Sequence, residues 1–153
     1  MWDIKSTFLI LAAISIGVLG CGPTRRPTTY IVPAGFSGQV RVRYGVGGSP
    51  ALPIVRGAFQ VRVPSSGEVV TATAIEYGLA DDRYYRTDVS EANRLYEGGE
   101  ATRPGDPPRP RSIWNSEVTV DSKAGTYVSF FVGSEAQHDT YEANLKAGKG
   151  KPK

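Results

Sequence analysis

Short runs in which apolar and polar residues alternate, each cut off by glycine or proline, most restrict what this chain can become. Val40, Val42, Tyr44 and Val46 alternate with Arg41, Arg43 and Gly45, and Phe59, Val61 and Val63 alternate with Gln60 and Arg62. A period of two is the signature of a strand with one buried face, here with a basic outer face. The chain's 18 glycines and 11 prolines supply the breaks, as in Gly47-Gly48-Ser49-Pro50, Pro64-Ser65-Ser66-Gly67 and Asp121–Gly125. Tyr30–Val32, Glu68–Ile75, Arg83–Val89, Ile113–Asp121 and Thr126–Val132 add further strand candidates. The last is apolar on both faces over part of its length and is expected at the centre of a sheet. Leu52–Arg56 reads as an edge segment, because Pro53 cannot donate to a ladder. The four-residue link Pro64–Gly67 is too short for a parallel crossover, so an antiparallel hairpin is expected between the strands on either side.

Two regions depart from this rhythm. Residues 90–112 carry Gly98-Gly99 and the proline-rich Arg103–Arg111, and are expected to form a long loop in which Pro107, Pro108 and Pro110 hold a stiff strip between Arg109 and Arg111. Glu91–Tyr96 is compatible with one helical turn inside it. Near the end, Ser134 and Gln137 have the spacing of a capping box, which predicts a short helix over Ser134–Leu145. Residues 147–153 are lysine-rich and read as a basic flexible tail. The fold class expected is all-β: an antiparallel β-sandwich of about seven strands with a short C-terminal helix, occupying residues 30–146.

The chain has a single cysteine, Cys21, at the end of the apolar run Phe8–Leu19. That run is shorter than the roughly 20 residues a helix needs to cross a bilayer. Its end, Val18-Leu19-Gly20-Cys21, resembles the lipobox of bacterial lipoproteins, in which the cysteine thiol is acylated and the chain is cleaved before it. Asp3 beside Lys5 makes the leader less basic than is usual for that family. The resemblance implies a signal peptide at 1–20, acyl chains on Cys21 and a tether at 21–29. In that tether Arg25 and Arg26 are solvated or lie against anionic headgroups. It also implies an envelope location facing the periplasm or the exterior, at the outer membrane if the organism has two, since Gly22 lacks the common inner-membrane Asp. A chain cleaved there has no second thiol, so no disulfide can brace it and the core alone must hold it together.

A wider resemblance rests on Tyr30–Tyr44, Gly57–Gly67, Tyr84-Tyr85 and Phe130–Gly133. These segments are similar to an uncharacterised domain of bacterial envelope lipoproteins. The resemblance implies a sandwich akin to transthyretin-like or carboxypeptidase-regulatory domains, modules that usually act as accessories. Fold likeness of this kind supplies no function.

Catalytic chemistry finds little footing. The one histidine, His138, sits beside Asp139 in the expected helix and reads as solvent-exposed. Zinc sites and cysteine nucleophiles lack their residues, and no phosphate-binding glycine motif or cofactor signature occurs. Glu76, Asp81, Asp82 and Asp88 fall close together but match no calcium loop; they read as turn and rim charges. The formal net charge of +3 is spread over both signs, and nucleic acid is not an expected partner. Partner binding is expected at the basic positions: Arg41, Arg43 and Arg62, forming one patch if their strands are neighbours, and Arg109 and Arg111. Tyr84 and Tyr85 face opposite sides of their strand, one into the core and one to the surface. The function expected is therefore a lipid-anchored, non-enzymatic accessory or binding module, held by Cys21, whose partner is an envelope protein or an anionic glycan. An envelope hydrolase using a carboxylate site and a purely structural protein are the alternatives. Oligomeric state is not set by the sequence.

Overall fold

The computed structural model describes residues 24–97 and 110–149. Nine strands form one mixed sheet: β1 (Thr28–Val32), β2 (Gly38–Arg43), β3 (Ile54–Val55), β4 (Ala58–Arg62), β5 (Glu68–Val70), β6 (Arg83–Arg86), β7 (Arg94–Glu97), β8 (Arg111–Asp121) and β9 (Gly125–Val132). They lie in the order β3-β4-β1-β6-β7-β8-β9-β2-β5, and one helix, α1 (Glu135–Lys146), follows.

The sheet curls around one core. Tyr30 and Val32 of β1, Val40 and Val42 of β2, Val61 of β4, Tyr84 of β6, Leu95 of β7, Ile113 of β8 and Phe130 and Val132 of β9 pack together although their strands span most of the order. Each fully buried aliphatic side chain contributes about 1.5–3 kcal/mol relative to exposure. The alternation on β2 falls as the sequence predicts, with Val40 and Val42 inward and Arg41 and Arg43 outward. β9 is central, between β8 and β2, and β3 is an edge strand, both as expected.

The expected antiparallel sandwich is corrected in two respects: the strands number nine in one curled sheet, and several pairs are parallel. β1 runs parallel to both β4 and β6, and β2 runs parallel to β5. The cause lies in two short connections. After β1, Pro33–Ser37 carries the chain across the core to β2; after β4, Val63–Gly67 does the same to β5. Two such arches side by side make their incoming strands parallel to each other and their outgoing strands parallel to each other. The hairpin expected across Pro64–Gly67 is therefore absent: β4 and β5 sit near opposite ends of the strand order. A four-residue link does exclude a crossover within one sheet, but it spans two facing layers readily.

The long loop is also shorter at its start than expected. Glu91–Asn93 forms a single 3-10 turn, and β7 then pairs antiparallel with β6 and parallel with β8. Buried Leu95 anchors it, so this strand joins the two halves of the sheet. The proline-rich stretch through Arg109 lies outside the described residues. Helix α1 begins at the predicted capping box, with Ser134 Oγ accepting from Gln137 N and Gln137 Oε1 accepting from Ser134 N at 2.8 Å. It covers the outer face of β8 and β9, where Phe131 lies 4.9 Å from Tyr141 and Trp114 stacks on His138 at 4.6 Å. His138 is thus half-buried rather than solvent-exposed, with Nε2 3.0 Å from Asn115 Nδ2.

A candidate binding groove on the parallel strands

Parallel strands are ordinarily covered on both faces. Among the described residues, no helix or strand covers the outer face of β4-β1-β6. Register places Arg62, Ile31 and Tyr85 in one row across these strands, and Gln60, Thr29 and Arg83 in the next. With Val55, Arg56, Asp81, Asp88 and Val89 at the sides, these residues line a groove of about 550 Å³. Its volume is within the roughly 300–1,000 Å³ usual for ligand sites.

The groove floor comes from the outward positions of strands whose inward positions build the core. Tyr84 is in the core and Tyr85 faces the other way, as the alternation predicts. Tyr85 is nevertheless only 6% exposed and Ile31 only 4%, because their neighbours across the strands close over them. Arg56 enters from the β3–β4 turn, where Arg56 and Gly57 have φ values of 51° and 81°. Two successive positive φ values characterise the tight turn that matches strand twist. Arg83 donates to Asp81 at 2.6 Å, and this hydrogen bond raises its pKa. Asp88 accepts from Ser90 and, at 2.9 Å, from Asn93, and these hydrogen bonds, Ser90's first, lower its pKa.

The expected single patch of Arg41, Arg43 and Arg62 does not form. β2 and β4 belong to opposite halves of the curled sheet, so the first two arginines and the third point away from each other. Arg41 lies 4.9 Å over the Tyr127 ring and 3.8 Å from Glu68. Arg111 sits 4.3 Å over Trp114, with Nε donating to Ile113 O at 3.1 Å. Arg109 and Cys21 lie outside the described residues. Arg62 instead keeps company with Arg56 and Arg83, which sequence reasoning passed over. The Arg56-Gly57 pair between two short apolar runs carried a turn signal, but nothing local announced that β1 would insert between β4 and β6.

The four neighbouring carboxylates do not converge either. Asp82 takes a bidentate contact from Arg25, at 2.9 and 2.6 Å, and accepts from Thr28 N at 2.8 Å. Glu76 accepts from Arg26 N at 2.9 Å, while Asp81 and Asp88 are held as described above. Among the described residues no group of three or more His, Cys, Asp or Glu side chains is placed to hold a metal ion.

Residues 24–95 match the model of a family of unknown function, DUF6843. No curated protein matches the chain. A solved structure described as a "Putative Lipoprotein from Bacillus anthracis" is similar with a TM-score of 0.50 at 21% identity, over 82% of this chain and 79% of that one. The likeness is one of fold.

Proposed function

We propose that this protein is a lipid-anchored, non-enzymatic binding module of the bacterial cell envelope. The observation that carries the reading is the lipobox-like Val18-Leu19-Gly20-Cys21. A thiolate is the side-chain nucleophile suited to that acylation, and each buried acyl methylene adds about 0.8 kcal/mol of membrane attachment. The description of the Bacillus anthracis protein as a lipoprotein supports the same reading. The open groove on β4-β1-β6 supports binding as the activity, and the paired state of every carboxylate near it favours binding over hydrolysis.

Mass spectrometry of the N-terminus of the protein from a bacterial host tests the anchor. The expected product begins at an acylated Cys21, and Cys21→Ser abolishes both acyl labelling and cleavage. A wild-type chain that starts at Met1 and carries no lipid would overturn the proposal.

A further inference from the structure

The groove lining specifies more than binding, and the inference drawn from it rests on the binding-module reading. Its floor is mixed in chemistry. Ile31 and Tyr85 are almost wholly buried in it and Val55 and Val89 present apolar surface at its sides, whereas the side chains of Thr29 and Gln60, one row along from Ile31 and Tyr85, have no hydrogen-bond partner among the described residues. An acyl chain laid on this floor would shut the hydroxyl and the amide away from water and leave both unsatisfied. A polyhydroxylated ring satisfies both and still offers a C–H face to exposed Val55 and Val89 at the sides of the groove.

The charges decide the sign of the ligand. Three guanidinium groups face two carboxylates, and Arg83 is already taken by Asp81. Arg56 and Arg62 have no ion pair among the described residues. Arg56 also holds a left-handed conformation, φ 51°, that asparagine or glycine adopts with less strain. A cation is thus presented beside the groove at a local conformational cost. Guanidinium groups in this state match carboxylate or phosphate oxygens bidentately.

We propose that the groove binds an anionic saccharide. Arg56 and Arg62 lie at opposite ends of β4, so separate carboxylates or phosphates of one oligosaccharide lie on them, with its hydroxyls on Thr29 and Gln60 between and its ring faces against exposed Val55 and Val89. Trigalacturonic acid is a suitable probe, with its fully methyl-esterified form as the neutral control and hexanoate as the control with an apolar body. The full chain is reconstituted in phosphatidylcholine nanodiscs and titrated calorimetrically at low salt. Saturable binding of the acid is expected, at least about tenfold tighter than either control, equivalent to about 1.4 kcal/mol. Arg56→Gln with Arg62→Gln should weaken the acid at least about tenfold, the same 1.4 kcal/mol. Gln60→Ala should weaken acid and ester alike, and Arg41→Gln with Arg43→Gln should change neither. Both groove arginines are exposed, so circular dichroism should show an unchanged fold. No saturable binding, equal affinity for acid and ester, tighter binding of hexanoate, or full binding by the groove double mutant each overturns the proposal. The Cys21→Ser chain separates this proposal from the anchor: it should bind the acid as the wild type does, so loss of the saccharide and loss of the lipid are independent results.

Discussion

Three rings set the centre of the core. Tyr30 stacks on Tyr84 with centroids 5.0 Å apart, and Phe130 meets each edge-on, also at 5.0 Å. Such pairs add about 0.5–1.5 kcal/mol beyond burial. Phe130→Ala should therefore cost about 3–5 kcal/mol, read by chemical denaturation. Phe59→Ala is expected to cost less, since its ring is capped by the Arg26 guanidinium at 4.8 Å and 8% of the residue remains exposed. Equal losses would mean that the aromatic trio adds nothing beyond area. Burial also pushes the Tyr30 and Tyr84 phenols up, and Tyr84's hydroxyl, 3.1 Å from Ser116 Oγ, only partly offsets it. A raised folded-state pKa means that the folded form holds the proton more tightly. The associated stability is whole below the unfolded tyrosine value of about 10 and is lost as pH climbs above it. Denaturation midpoints should fall from about pH 10 upward, and Tyr84→Phe should blunt that fall. An identical alkaline profile in Tyr84→Phe would remove Tyr84 from this account. Alternation made the burial of Phe59 legible in the sequence; it left open which of Tyr84 and Tyr85 turns inward, and a last strand apolar on both faces did not single out Phe130.

At the scale of elements, alternation and punctuation gave the segments but not their partners. The strands at Gly38–Arg43, Ala58–Arg62 and Gly125–Val132, the edge at Ile54–Val55 and the capped helix lie where pattern and turn chemistry put them. Pairing depends on where a turn sends the chain, and Pro64–Gly67 looks alike in a hairpin and in an arch. Its distinguishing feature is tertiary. Gly67 has φ 78°, and a Cβ there would collide with the backbone oxygen of Gln39, on the strand that the other arch delivers. A hairpin turn would tolerate alanine with only the left-handed penalty of about 1–2 kcal/mol. In the arch the backbone clash is added, so Gly67→Ala should lose more than about 2 kcal/mol and disrupt β2–β5 pairing. Denaturant titration with amide exchange on Arg41 and Thr71 would show this; a loss within the simple turn penalty would restore the hairpin. β7 escaped sequence reading for the opposite reason. Arg94–Glu97 has one buried apolar residue, Leu95, too little alternation to mark a strand that exists because β6 and β8 flank it.

For the whole molecule the curl of the sheet matters most, since it sends Arg41 and Arg62 to opposite sides and leaves the parallel strands open as a groove. It also changes the junction with the membrane. The sequence suggested a tether through residue 29, yet Thr24 bridges to Leu79 and β1 starts at Thr28. Arg25 N donates to Leu79 O at 3.1 Å, its guanidinium is clamped by Asp82, and that contact raises its pKa. Arg26 N and Thr28 N donate to Glu76 and Asp82. The proline and arginine content of this stretch conceals such partners, because they come from fifty or more residues away. Only Gly22 and Pro23 lie between Cys21 and Thr24, and three fully extended residue steps reach only about 10 Å. An acylated Cys21 would hold the domain close against the headgroups. Hydrogen exchange distinguishes the clamp from a solvated tether. With the clamp, the amides of Arg25, Arg26 and Thr28 are protected in the wild type. Asp82→Ala then releases the Thr28 amide and the Arg25 guanidinium at a cost of about 1–3 kcal/mol, while Leu79 and Glu76 keep the Arg25 and Arg26 amides partly protected. A freely exchanging Thr24–Thr28 segment in the wild type, unchanged by Asp82→Ala, would return it to the tether and give the groove a wide range of orientations over the membrane.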